Sequence, residues 1–303
     1  MGSTNVGPGF QEVTDLYREE PAVIIDCHTH INNYHDEQRA SLGECIEKLQ
    51  LEMRRNRVDV ALVLTSYKTT PGRPSTRDAV AATRELNNLF IIAGISFLQY
   101  DEKELELLRP FLQEGSVRGL KLYPGYEPFY PNDPRIRGVF TLAQEYDVPV
   151  MIHSGDTYDP KGRVKYAHPL HVDDVAVEHP NVNIIICHIG NPWIRDCMEV
   201  VYKNKNVYTD ISGLTLGDFN DRFEAYMRKQ LQEMLVYGVE PDKVLFGTDW
   251  PISSMDSYLE FMEELTIPER DKRKILFENS AALFKIPASA AKHRGPSMLS
   301  WLK

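Results

Sequence analysis

The chain has 303 residues, long for one ordinary domain, short for two, and well suited to a single α/β barrel of about 250 residues. Its 44 acidic and 34 basic side chains give a net charge of -10, which argues against a nucleic-acid protein needing a basic patch. At 42% hydrophobic and 26% charged, with four cysteines, it has neither the composition of a disordered chain nor that of a disulfide scaffold.

The first segment, residues 1–20, is polar and Gly-rich without a sustained period and reads as a flexible N-terminal arm. It lacks the basic flank and apolar stretch of a signal peptide. No apolar run in the chain approaches the roughly 20 residues of a membrane span. A soluble, cytoplasmic protein without nucleic-acid or membrane partners is expected. From Ala22 onward, short apolar runs alternate with amphipathic stretches. The runs are 22–26, 58–64, 90–96, 117–123, 148–153, 182–188, 206–211 and 243–249. Most are continuously apolar and β-branched, as in parallel strands buried on both faces.

Helical stripes lie between them. Leu42, Cys45, Ile46, Leu49 and Met53 repeat at three and four residues, as do Ile136, Val139, Ala143 and Tyr146. Phe219, Phe223, Tyr226 and Tyr237 mark a longer stretch, and Tyr258, Leu259, Met262 and Leu265 another. This alternation predicts one (β/α)8 TIM barrel over residues 21–287, followed by a C-terminal tail over 288–303. An open doubly wound sheet is less favoured, because no GxGxxG follows the first run.

Polar residues able to bind a metal stand at the C-terminal ends of the runs. His28 and His30 end the first, Lys121 the fourth, His153 the fifth, His188 the sixth, Asp210 the seventh and Asp249 the eighth. Barrel active sites are built at those ends. In a strand, residues two apart share a side, so His28 and His30 are expected to face the interior, with Cys27 and Thr29 turned toward the helices. A histidine pair alone is a common pattern. A lone His188 suits a satisfied core histidine, and a lone Asp249 suits a strand-end cap. Convergence of several polar groups on one face favours a divalent-metal site.

The segments DCHTH, GLKLYPGYEPFYPNDP, PVMIHSG, NIIICHIGNPW, VLFGTDWP and KILFENSAALFKI resemble the amidohydrolase superfamily. Within it the chain is similar to the amidohydrolase-related branch that includes 2-amino-3-carboxymuconate-6-semialdehyde decarboxylase-like proteins and TIM-barrel metal-dependent hydrolases. The resemblance runs over residues 22–287. It implies one divalent metal, zinc foremost with manganese as another choice, held by His28, His30, His153 and Asp249. It implies that His188 polarises the substrate or shuttles a proton, with Asp249 as the other catalytic group.

Lys121 has three readings: a carboxylated ligand bridging two metals, with His188 on the second; a cation for a substrate carboxylate; or a partner of a ligand. The second is favoured. Arg163 is a further candidate cation, and Tyr123 and Trp193 are candidate substrate-binding aromatics in loops at the mouth. Asp210 is expected to orient a histidine ligand. His168 and His171 read as the approach to a helix with acidic first-turn residues.

The favoured function is hydrolysis of a small carboxylate-bearing lactone, amide or ester by metal-activated water. The alternative is non-oxidative decarboxylation of a small unsaturated or aromatic acid. A non-catalytic metal-binding barrel is the third reading. The Lys121 motif tips the choice toward hydrolysis. The expected partner is a small-molecule substrate, with a homodimer as a further expectation.

Overall fold

The computed structural model describes residues 23–33 and 40–290. The expected arm over 1–20 lies outside these residues, as does the tail from 291 onward. Eight strands form one parallel sheet in sequence order. They are β1 (Ile25–Thr29), β2 (Val60–Leu64), β3 (Leu89–Ile95), β4 (Val117–Leu122), β5 (Val150–Ile152), β6 (Ile184–Ile186), β7 (Val207–Asp210) and β8 (Val244–Leu245). Cys27 N donates to the Phe246 carbonyl at 3.0 Å, and Thr29 bridges Trp250 in parallel, so β8 closes onto β1. The fold is a TIM barrel.

Helices fill the connections: α1 (Leu42–Asn56), α2 (Thr76–Thr83), α3 (Glu102–Glu106), α4 (Arg109–Glu114), α5 (Arg137–Tyr146), α6 (Leu170–Glu178), α7 (Ile194–Lys203), α8 (Asp221–Tyr237), α9 (Met255–Glu263), α10 (Glu269–Arg273) and α11 (Asn279–Leu283). The first starts at a reciprocal cap, in which Ser41 Oγ accepts from Glu44 N and Glu44 Oε2 accepts from Ser41 N. Its buried face is Cys45, Ile46, Leu49 and Met53. None of the described helices is long and apolar enough to cross a membrane.

Strand alternation divides the core. Ala61, Val63, Ile91, Ala93, Leu120 and Leu122 join the layer under the helices. Leu62, Leu64, Ile92, Met151, Ile185, Cys187 and Leu245 form a separate inner cluster with Cys27. Membership of Cys27 corrects the expectation that it faces the helices. The pairing of β1 with β2 shifts between Asp26 and Thr29, which breaks strict two-residue alternation just where the histidine pair begins. A second correction concerns α8. Tyr226 and Tyr237 are exposed, and Met227, Leu231 and Met234 supply the buried face instead.

Candidate active site

The register shift in β1 and two left-handed backbone turns build the site. Asp249 has φ 69° and His188 φ 63°, a region non-glycine residues seldom occupy and one that concentrates at functional sites. Asp249 N donates to the His28 carbonyl at 2.7 Å, which ties the end of the barrel to its beginning. As a result His28 Nε2 lies 3.8 Å and His30 Nε2 3.0 Å from Asp249 Oδ1. All three side chains are buried.

The remaining ring nitrogens fix the tautomers. His30 Nδ1 lies 2.9 Å from the Leu64 carbonyl, which only accepts, so the proton sits on Nδ1 and Nε2 is an acceptor. His28 Nδ1 donates to Asp210 Oδ2 at 3.0 Å, leaving its Nε2 in the same state. Asp210 Oδ1 accepts from His188 N at 2.9 Å and from the Ser212 hydroxyl at 2.5 Å. That carboxylate thus orients a site histidine, as an outer partner of a metal ligand does.

Burial holds the His28 imidazole down to about 4, with Lys121 adding to the effect and Asp210 opposing it. Burial also lowers His188, and it takes His153 well below the ordinary histidine range with His188 contributing. These imidazoles are neutral near pH 7, the form that binds metals. For Asp210 and Asp249, burial works to raise the carboxyl, but the surrounding imidazoles, His28 foremost, outweigh it. Both stay below the usual carboxylate range.

The residues present fit a metal. Asp249 Oδ1 is buried and without a hydrogen-bond partner among the described residues, while His28 and His30 turn acceptor nitrogens toward it. His28, His30 and Asp249 place one ligand atom each within 4.8 Å of one another. The donor set of two imidazoles and a carboxylate suits zinc or manganese better than magnesium or calcium.

His153 is placed differently from these three. Its ring lies against His188, with centroids 5.0 Å apart, and its Nε2 donates to the Asp156 carbonyl at 2.9 Å. Nδ1 is therefore its acceptor nitrogen. His188 Nδ1 lies 3.0 Å from the Ser212 carbonyl, so His188 also presents Nε2 as an acceptor.

Other sequence candidates are more scattered. Lys121 is buried inside the barrel with Nζ 2.6 Å from Cys187 Sγ. Tyr123 is buried, and its hydroxyl donates to the Thr65 carbonyl at 2.5 Å. Trp193 packs on His168, ring centroids 4.7 Å apart. Arg163 is exposed, and its backbone N donates to the Gly125 carbonyl.

Sequence reading missed three contributors. Ser212 Oγ lies 2.9 Å from both His28 Nδ1 and His188 Nδ1. Gly213 sits so close that a Cβ there would meet His188 Nδ1 at 2.7 Å and Asp249 Oδ2 at 2.8 Å. Tyr67 continues the aromatic side of the site: it packs on Tyr123 and Tyr126 at 5.1 and 6.1 Å, and Tyr126 packs on His153 at 4.7 Å. Only Gly213 carries a local signal, as a glycine just beyond a strand end.

The amidohydrolase family model matches residues 25–286. The chain belongs to the amidohydrolase family. Among curated relatives, it is 25% identical over 246 residues to gamma-resorcylate decarboxylase from Rhizobium radiobacter, covering 69% of this chain and 68% of that protein. It is 24% identical over 209 residues to gamma-resorcylate decarboxylase from Rhodococcus jostii (strain RHA1), covering 59% and 61%. Among solved structures, an uncharacterised TIM-barrel protein from Bordetella bronchiseptica superposes with a TM-score of 0.67 at 21% identity, covering 88% of this chain and 99% of that one.

These relatives overturn the expectation of a hydrolase. That expectation leaned on Lys121, yet the ligand set of an amidohydrolase barrel serves hydrolysis and decarboxylation alike. Several curated relatives of this chain are gamma-resorcylate decarboxylases.

Proposed function

We propose that this protein is a metal-dependent, non-oxidative decarboxylase of a hydroxylated aromatic acid. The observation that carries the reading is its similarity, over about two thirds of both chains, to gamma-resorcylate decarboxylase. The cluster of His28, His30 and Asp249 supports it, and so does the run of Tyr67, Tyr123 and Tyr126 ending on His153.

In this reading His28, His30 and Asp249 hold one divalent metal, zinc or manganese, with His153 as a further ligand candidate. The metal would supply a fixed positive charge that orients the acid and stabilises the electron density left on the ring. The chain does the rest. Asp210 and Ser212 hold His28 and His188 in single tautomers. His188 Nε2 is an acceptor and can take up a proton and give it back. Asp249 is the second proton carrier, with Oδ2 on the Gly213 and His188 side of the site. The ring carbon gains a proton as the bond to the carboxyl carbon breaks, and carbon dioxide leaves. Half-buried Tyr67 and Tyr126 offer a planar substrate a wall to stack on.

The test is a panel of hydroxylated benzoates, 2,6-dihydroxybenzoate among them, incubated with the metal-loaded chain in heavy water. The reading expects a phenolic product carrying deuterium at the carbon that lost its carboxylate. A panel returned unchanged, alongside turnover of a lactone, would contradict it.

A further inference from the structure

The proposed chemistry leaves one buried pair of reactive groups unused. Lys121, from the end of β4, and Cys187, just beyond β6, meet inside the barrel with Nζ 2.6 Å from Sγ. Lys121 is 1% exposed and Cys187 0%. The lysine hydrogen bond goes to sulfur rather than to a carboxylate. All four cysteines are free. The Cys187 sulfur also lies within 4.8 Å of ring nitrogens of His28 and His188, so it borders the candidate active site.

We propose that Lys121 and Cys187 form an oxidative modification site, at which hydrogen peroxide joins the two side chains through a direct nitrogen–sulfur bond. Peroxide first oxidises the thiol: Cys187–SH and H2O2 give Cys187–SOH and H2O. The sulfenic acid then condenses with the amine: Cys187–SOH and Lys121–NH2 give Cys187–S–NH–Lys121 and H2O. The sulfur loses two electrons, and both peroxide oxygens leave as water. Sulfenic acids condense with nearby nitrogen or thiol groups before further oxidation. Here the amine is already at contact distance on a rigid barrel, which gives the condensation the advantage of an intramolecular reaction.

Burial pushes the Cys187 thiol up, against the opposing effect of Lys121. The amine of Lys121 is the group in contact with the sulfur as peroxide reacts. Closing the bond replaces a titratable amine beside the histidines with a neutral nitrogen–sulfur link. A thiol reductant reverses it by attack on sulfur.

The experiment treats the full chain with millimolar hydrogen peroxide, blocks free thiols, digests it and maps the peptides by mass spectrometry. The readout is mass, so it stands or falls apart from the decarboxylase reading. The expected product joins the Lys121 and Cys187 peptides, lacks two hydrogens relative to their sum, and reverts with dithiothreitol. Lys121→Met should abolish the cross-link and send Cys187 on to sulfinic acid. Three results would overturn the proposal. The first is Cys187 recovered as a free thiol. The second is sulfinic acid at Cys187 beside an unmodified Lys121 in the unmutated chain. The third is a joined peptide that has gained an oxygen or whose partner is Cys27.

Discussion

His30 and Asp249 face each other at 3.0 Å with an acceptor on each side: Nε2 of the imidazole and Oδ1 of the carboxylate. The proton of His30 is committed to Leu64 through Nδ1. Two facing lone pairs repel unless a cation lies between them, and His28 Nε2 turns a third acceptor to the same oxygen at 3.8 Å. Asp249→Ala should therefore bring bound metal to background in elemental analysis and abolish turnover. The fold should survive by circular dichroism, because the backbone bond from residue 249 to the His28 carbonyl remains.

Asp210→Asn tests the outer support. The change takes charge from the partner of His28 Nδ1 and loosens a hub shared with Ser212 and His188. Metal affinity should fall by about 10- to 100-fold, measured by competition with a chelator. An unchanged affinity would remove Asp210 from the account.

Acid should release the metal late. The His28 imidazole is held by burial at about 4, below the 6.5 of an ordinary histidine. A depressed histidine stays neutral as pH falls, while the same residue in the unfolded chain takes up its proton first. Stability from this group is thus complete above 6.5 and declines as pH drops toward 4. Metal content on stepwise acidification should have its midpoint nearer the lower value. A midpoint near 6.5 would contradict the buried, neutral His28.

Gly213→Ala tests the space around the proton carriers. Its φ of +60° costs an alanine about 1–2 kcal/mol. The new methyl group would also enter between His188 Nδ1 and Asp249 Oδ2. Thermal melting should show the modest destabilisation, and kcat should fall by about 100-fold through misplacement of these groups. A variant that melts lower but keeps its kcat would remove Gly213 from the site.

Much of this architecture was legible in the sequence. Eight apolar runs correspond to eight strands, and His28, His30 and Asp249 meet because each lies near or beyond the C-terminal end of one of them. What escaped depends on contacts that no local pattern records. The shift between Asp26 and Thr29 is a pairing irregularity with β2, and Cys27 shares the inner side with Ile25, two residues before it. The thiol partner of Lys121 is 66 residues away. Ser212 lies beyond the last residue of a strand with no periodic mark. The choice of reaction was illegible for a different reason: the same ligands serve hydrolysis and decarboxylation, and the substrate decides which occurs.

The measurement that tests the central claim most directly is carbon dioxide release from 2,6-dihydroxybenzoate by the purified chain, before and after treatment with a chelator. The account predicts release that the chelator abolishes and that added zinc or manganese restores. Release that survives complete removal of metal, or none from any hydroxylated benzoate with metal bound, would contradict it.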